Sequence, residues 1–121
     1  MYKLSIETMI SASHFLRNYT GPCQRMHGHN WKIQVVVTGQ KLDEAGMIID
    51  FKELSDLTWK VVGRFDHQTF NEIPPFDKIN PTAENMAKYF YHELGKILPD
   101  GVKMAAVRLW ETDKYMLEYS E

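Results

Sequence analysis

Three histidines near the amino-terminal end of the chain have the spacing of a metal site. His27 and His29 flank Gly28, and side chains two positions apart on a β-strand point to the same face. His14 lies on the apolar parity of an earlier predicted strand, so a hairpin of the two strands would bring three imidazoles together. Three histidines with an open fourth position are typical of catalytic zinc, and the sequence therefore predicts a Zn²⁺ site. A His-x-His pair alone is more often a coincidence than a metal site, and His14 strengthens the interpretation only modestly.

A thiol and an Asp-His pair are the next candidates for chemistry. Cys23, the single cysteine, lies four residues before His27, and positive charge from zinc or from His67 would favour its reactive thiolate form. A small, semi-buried structural residue is the alternative. Asp66 directly precedes His67 just past a predicted helix end, and an aspartate can orient an imidazole and raise its basicity. A pair that merely ends the helix is the alternative for these two residues.

Glu111 is the remaining candidate, at the end of the apolar run from Val107 to Trp110. It is either a surface carboxylate at a strand end or a carboxylate that accepts two N–H bonds from a guanidine-like ring edge. The residues alone thus indicate a metal site with a thiol and an Asp-His pair nearby. They do not identify a substrate.

Alternating apolar and polar residues predict the two strands that position the histidines. The first strand runs from about Tyr2 to Ala12, because five of its six even positions are apolar and the residues between them are mostly polar. The second runs from about Trp31 to Thr38, and Gly39 marks its end. A short extension of strand structure is predicted at residues 47–49.

Two helices and a second hairpin complete the predicted elements. Asp50 has the character of an N-cap, which predicts a helix from about Phe51 to Gly63. Thr82 marks the start of another helix, and residues 65–80 between the two are predicted as a loop. Residues 104–111 and 115–119 predict the hairpin. The order β-β-α-α-β-β indicates an α+β fold, an antiparallel sheet covered by helices.

Length and composition narrow the class of protein. The 121 residues suit one domain spanning 1–121, and a domain of this size leaves enough surface exposed to favour oligomerisation. A net charge of -2 argues against nucleic-acid binding by phosphate neutralisation. No apolar stretch approaches the length of a membrane span, and no signal peptide is recognisable. A lone cysteine excludes an internal disulfide and fits a reducing cytoplasm.

Six motifs occur in an order that resembles the 6-pyruvoyl-tetrahydropterin synthase and 6-carboxytetrahydropterin synthase family. Together they span nearly the whole chain, and their order on the predicted elements makes the resemblance specific. The motifs are Ser11-Ala12-Ser13-His14, Cys23-Gln24-Arg25-Met26-His27-Gly28-His29-Asn30, Gly46-Met47-Ile48-Ile49-Asp50-Phe51, Asp66-His67-Gln68-Thr69-Phe70-Asn71, Pro81-Thr82-Ala83-Glu84-Asn85 and Val107-Arg108-Leu109-Trp110-Glu111-Thr112.

The resemblance implies a fold and an assembly. The fold is the tunnelling fold (T-fold), a four-stranded antiparallel sheet with two helices on one face. Subunits join their sheets into a barrel with active sites between subunits, so a homo-oligomer is expected, with a hexamer of two stacked trimers favoured and a tetramer as the alternative.

The resemblance also implies roles for the site residues. His14, His27 and His29 correspond to zinc ligands, and Glu111 corresponds to the anchor of a pterin ring. The proton-transfer set that the resemblance implies is Cys23, Asp66 and His67.

The expected substrate is 7,8-dihydroneopterin triphosphate. The Cys-x-x-x-His-Gly-His spacing is similar to the branch that forms 6-carboxytetrahydropterin, acetaldehyde and triphosphate in the synthesis of 7-deazaguanine compounds such as queuosine. Two alternatives remain: a 6-pyruvoyl-tetrahydropterin synthase, and a non-catalytic pterin- or purine-binding T-fold protein with structural zinc. Trp31 and Phe70 depart from the residues common in the family, and neither departure removes a reacting group.

Overall fold

The computed structural model describes residues 1–21 and 24–121 and contains five strands and two α-helices. The sheet order is β3-β1-β2-β4-β5. Short 3₁₀ turns at Gly63–Phe65 and Phe70–Glu72 flank the third strand. The elements are β1 (Tyr2–His14), β2 (His27–Gly39), α1 (Phe51–Val62), β3 (Gln68–Thr69), α2 (Ala83–Ile97), β4 (Lys103–Thr112) and β5 (Tyr115–Tyr119).

The first two strands form one long antiparallel hairpin in continuous register. Tyr2 pairs with Gly39 at one end and His14 pairs with His27 at the other. Alternate residues of β2, beginning at Trp31, are buried on a single face, which confirms the period-two pattern of the sequence. Both strands reach further than expected, so all three histidines lie inside the hairpin.

The strand predicted at residues 47–49 does not form. Asp43 folds this segment into a tight loop, because its Oδ1 accepts hydrogen bonds from the backbone N–H of Ala45 and of Met47, each at 2.9 Å. The loop then places Ile48 against Gly39, where a Cβ atom would lie 2.6 Å from Ile48 Cγ2. Local side-chain hydrogen bonds have therefore replaced strand pairing.

The two helices begin at the predicted caps. Asp50 Oδ1 accepts the Lys52 N–H at 2.8 Å, and Thr82 Oγ1 accepts the Asn85 N–H at 3.1 Å, so each cap satisfies an otherwise unpaired N–H of a first turn. Both helices pack on the same face of the sheet, and their buried residues share one core cluster with the apolar face of the strands. The largest fully buried side chains of the core are Trp31, Phe65, Phe70, Phe76 and Phe90.

A fifth strand lies in the segment predicted as a loop, so the sheet has five strands where four were expected. β3 runs parallel to β1 and pairs only with Ala12 and Ser13. Asp66 holds it there, because its Oδ1 accepts the Ser11 N–H at 2.9 Å. Two residues are too few to produce a detectable period, and the α+β class is unchanged.

Within residues 1–21 and 24–121, none of the helices has both the length and the apolar character needed to cross a membrane.

Candidate metal centre and active-site cleft

The register of the β1–β2 hairpin brings the three histidines together at one end of the sheet. His14 lies directly opposite His27, and His29 lies opposite Ala12. The Nε2 atoms of His14 and His27 are 3.0 Å apart. The His29 ring centroid lies 4.8 Å from that of His27 and 5.6 Å from that of His14. The imidazoles therefore converge as the strand parity indicated.

Backbone carbonyls fix the orientation of two of the rings. The His14 Nδ1 lies 2.8 Å from the Pro81 carbonyl oxygen, and the His27 Nδ1 lies 2.7 Å from the Arg25 carbonyl oxygen. A carbonyl oxygen only accepts, so each Nδ1 carries the proton and each neutral ring has an unprotonated Nε2. Burial lowers the pKa of His14 below its ordinary value of 6.5, which favours the neutral ring.

Two unprotonated nitrogens that face each other at 3.0 Å repel, because both present lone pairs. A cation between them removes this repulsion. The arrangement of carbonyl, imidazole and open Nε2 is the one commonly found behind metal-ligating histidines.

The third imidazole has an unsatisfied nitrogen. His29 Nε2 is buried and has no hydrogen-bond partner among residues 1–21 and 24–121, although Glu111 Oε1 lies 2.9 Å away. This contact is an ion pair only while the His29 ring is protonated. Burial lowers the pKa of His29, and the nearby Glu111 carboxylate opposes only part of this shift. A buried nitrogen without a partner costs free energy that a bound metal would recover.

Glu111 joins the histidine cluster from β4. Its Oε1 lies 2.9 Å from His29 Nε2, 3.9 Å from His14 Nε2 and 4.0 Å from His27 Nε2. One ligand atom from each of the four residues lies within 4.8 Å of the others. The family resemblance implied that Glu111 anchors a pterin, and it did not indicate that Glu111 lies this close to the three histidines. A signal was present, since Glu111 shares the parity of the buried residues Val107 and Leu109.

This donor set fits zinc. Three imidazole nitrogens and one carboxylate oxygen are ligands that Zn²⁺ takes in proteins. Trp31 is fully buried beside the cluster, and its ring packs edge-on against His14 and His29 at centroid distances of 4.9 and 5.0 Å. The indole Nε1 donates to the Ala12 carbonyl at 3.1 Å, which fixes the ring against the hairpin.

An open cleft of about 520 Å³ adjoins the cluster. His29 and His67 both line it. Five of the other eight lining residues carry a hydroxyl or an amide. The other lining residues are Ser11, Ala12, Ser13, Gly28, Asn30, Gln68, Thr69 and Glu72.

Asp66 and His67 form the predicted pair at this cleft. His67 Nδ1 lies 3.1 Å from Asp66 Oδ1, and the His67 side chain is 79% exposed. The hydrogen bond from the Ser11 N–H holds the pKa of Asp66 below its ordinary value, so Asp66 stays ionised beside the imidazole. His67 has a left-handed backbone with φ of 58°, and its own N–H donates to the Ser11 carbonyl at 2.6 Å.

The structure thus brings six of the seven predicted site residues to one end of the sheet. His14, His27, His29 and Glu111 form the cluster, His67 lines the adjoining cleft, and Asp66 contacts His67. Cys23, predicted as a catalytic thiol, lies outside the described residues.

The architecture, two helices on one face of a mostly antiparallel five-stranded sheet with ββαβαββ order, defines a protein of the tunnelling-fold class. More particularly, the chain belongs to the 6-pyruvoyl tetrahydropterin synthase family, because the sequence model of that family matches residues 3–121.

Individual relatives agree with this assignment. The 6-carboxy-5,6,7,8-tetrahydropterin synthase of Bacillus subtilis is 35% identical over 95 residues, covering 74% of this chain and 63% of the relative. The enzyme of the same name from Haemophilus influenzae is 29% identical over an alignment of 143 positions, gaps included, that covers 100% of both chains. The structure of 6-pyruvoyl tetrahydropterin synthase from Caenorhabditis elegans matches with a TM-score of 0.87 at 24% identity, covering 99% of this chain and 95% of that one. This structural match establishes that the two proteins share a fold.

The first prediction concerns metal content. Purified protein should hold about one zinc ion per chain, and the His27→Ala, His29→Ala double variant should lose it, because both changes remove ligand nitrogens. Metal analysis after gel filtration measures this. His92→Ala, which removes an exposed histidine on α2, is the control and should retain zinc. Full zinc occupancy in the double variant would contradict the assignment of His27 and His29 as zinc ligands.

Proposed function

We propose that the chain is a zinc-dependent 6-carboxy-5,6,7,8-tetrahydropterin synthase. It converts 7,8-dihydroneopterin triphosphate and one water molecule into 6-carboxytetrahydropterin, acetaldehyde and triphosphate, in the synthesis of 7-deazaguanine compounds such as queuosine. The names of the two bacterial relatives support this activity. The three-residue gap between Cys23 and His27 supports the same branch of the family.

The observation that carries the proposal is the convergence of three imidazole nitrogens beside a cleft that also exposes His67. Zinc held by His14, His27 and His29 would supply Lewis-acid chemistry, which makes protons next to the substrate's side-chain hydroxyls easier to remove. The cleft admits a ligand from solvent, and its hydroxyl and amide groups can orient one.

The chain's own acid–base groups move the protons. Asp66 accepts from the His67 Nδ1, which leaves the exposed His67 free to take up or release a proton at Nε2. We assign Cys23 to the same proton-transfer set on sequence grounds. Proton transfer between side chain and ring lets the ring be reduced as the side chain is oxidised, so the electrons balance without an external redox cofactor, and water supplies the additional oxygen of the carboxylate.

Glu111 has two roles open to it. Its carboxylate could hold the pterin through the 2-amino group and a ring N–H, as the resemblance implies. Its Oε1 is also 2.9 Å from His29 Nε2, so it could instead ligate the metal or compensate its charge. We favour substrate binding by Glu111, with the fourth metal position left for the substrate.

A prediction for Glu111 separates these roles. Glu111→Gln keeps the side-chain size and replaces one acceptor oxygen with a donor. A pterin anchor should then lose about 1.5–3 kcal/mol of pterin binding, the value of a hydrogen bond to a charged group, with zinc affinity unchanged. Calorimetric titration of a pterin and competition with a metal chelator measure the two quantities. Unchanged pterin affinity together with weakened zinc binding would overturn the anchor role.

The chain is also proposed to work as a homo-oligomer, with a hexamer favoured and a tetramer as the alternative. β3 covers the outer edge of β1 only at Ala12 and Ser13, so most of that edge has free backbone groups among the described residues. Such edges favour pairing with another chain. Light scattering at micromolar concentration should therefore give the mass of an oligomer, and an active monomer would contradict the proposal.

The product decides between the proposed activity and its alternatives. Anaerobic incubation with dihydroneopterin triphosphate should yield 6-carboxytetrahydropterin, detected by mass analysis, and acetaldehyde, detected by a coupled assay. Accumulation of 6-pyruvoyl-tetrahydropterin without acetaldehyde would identify the pyruvoyl-forming branch. Pterin binding without either product would favour the non-catalytic alternative.

Cys23→Ala is the matched variant for this assay. It should retain the fold and the zinc and lose about 10²–10⁴-fold in turnover, the usual contribution of a positioned acid–base group. Near-normal turnover would remove Cys23 from the proton-transfer set.

A further inference from the structure

Two asparagine side chains take over strand pairing where the chain leaves β1. Asn71 Oδ1 accepts the Phe15 N–H at 3.0 Å, and Asn71 Nδ2 donates to the Phe15 carbonyl at 2.9 Å. Asn80 forms the same pair of hydrogen bonds with Arg17. Its Oδ1 accepts the Arg17 N–H at 2.8 Å, and its Nδ2 donates to the Arg17 carbonyl at 3.0 Å. Each side-chain amide thus pairs both backbone groups of one residue, as a peptide of a neighbouring strand would.

This pairing is built into the fold rather than lying on its surface. Asn71 is only 7% exposed, and its Oδ1 and Nδ2 both have partners. The Asn80 backbone is fixed as well, because its carbonyl accepts the Thr82 N–H at 2.8 Å and the Asn85 Nδ2 at 2.9 Å. The Asn80 side chain can therefore hold Arg17 against a rigid support.

Both amides lie next to groups that set the position of His14. Phe15, which Asn71 pairs, directly follows His14 in the chain. Asn80 directly precedes Pro81, whose carbonyl accepts from the His14 Nδ1 at 2.8 Å. His14 is thus held through its backbone by Asn71 and through its ring by the Asn80–Pro81 segment.

We propose that Asn71 and Asn80 are positioning residues of the metal centre. They fix the chain after His14 and the carbonyl of Pro81, so that His14 Nε2 is held towards His27 before any metal binds. The inference rests on the proposed zinc-dependent function. Groups behind metal ligands commonly change metal affinity by about 10- to 100-fold when they are removed, and we expect a loss of that size here.

Asn71→Asp and Asn80→Asp test the proposal with little change in shape. Each variant keeps an acceptor for the backbone N–H but loses the donor, and it places a carboxylate oxygen against a carbonyl. Zinc dissociation constants are measured on the whole protein by competition with a chromophoric chelator. We expect both variants to bind zinc about 10- to 100-fold more weakly than the unchanged protein. If an aspartate variant does not fold, Asn71→Ser and Asn80→Ser replace it, because they add no charge. The same loss of zinc affinity is expected for them.

Leu94→Ala is the matched control for lost stability. Leu94 is fully buried in α2, and twelve residues separate it from the cap Thr82, about 18 Å along a helix. Its removal should lower the melting temperature of the metal-free protein and leave zinc affinity unchanged. A second readout is the visible absorption of the cobalt-loaded protein, which reports ligand geometry. The spectrum should shift in the asparagine variants and not in Leu94→Ala.

Three further outcomes would count against the proposal. If the asparagine variants melt at lower temperature but keep normal zinc affinity and an unchanged cobalt spectrum, the two residues serve the fold alone. If they behave as the unchanged protein in every measurement, their pairing has no role at the metal centre. If the unchanged protein itself binds no zinc, the zinc-dependent function fails as well, and this result is distinct from the other two.

Discussion

The register between β1 and β2 is the constraint on which the candidate site depends. Side chains alternate across a strand, so a slip of one residue would carry His14 to the face opposite His27 and His29. The observed register places His14 directly opposite His27, and Trp31 helps to hold it by donating its indole N–H to the Ala12 carbonyl across the hairpin. The candidate metal centre is therefore a consequence of strand pairing, and the segment around Asp66, Asn71 and Pro81 packs against it.

The candidate metal centre lowers the stability of the metal-free chain, but it is already arranged to bind an ion. His14 and His29 have lowered pKa values because of burial, so protons compete weakly for their nitrogens. The facing nitrogens of His14 and His27 and the unpartnered nitrogen of His29 are unfavourable contacts that the surrounding fold must outweigh. A bound ion would relieve them all at once, so metal binding and folding stability are coupled.

Strand parity in the sequence was enough to predict the convergence of His14, His27 and His29, while their role as zinc ligands stays a prediction. Helix caps at Asp50 and Thr82 predicted both helices, because caps act locally. The strand expected at residues 47–49 was wrong because Asp43 offers the backbone a competing set of bonds. β3 and the pairing of Asn71 with Phe15 join residues 56 positions apart, and single-sequence periodicity carries no information on such contacts.

The in-register pair His14–His27 also distinguishes changes within the two strands from changes in the length of the segment that connects them. Both ends of the segment 15–26 are fixed by the hairpin, and the entropic cost of closing a loop rises only slowly with its length. Insertions or deletions between Arg17, which Asn80 pairs, and Arg25, whose carbonyl orients His27, can therefore be accepted without breaking the contacts that hold either histidine. The hairpin therefore divides the chain during descent into strands whose length must be kept, because they carry His14 and His27 in register, and a connecting segment whose length is free to change.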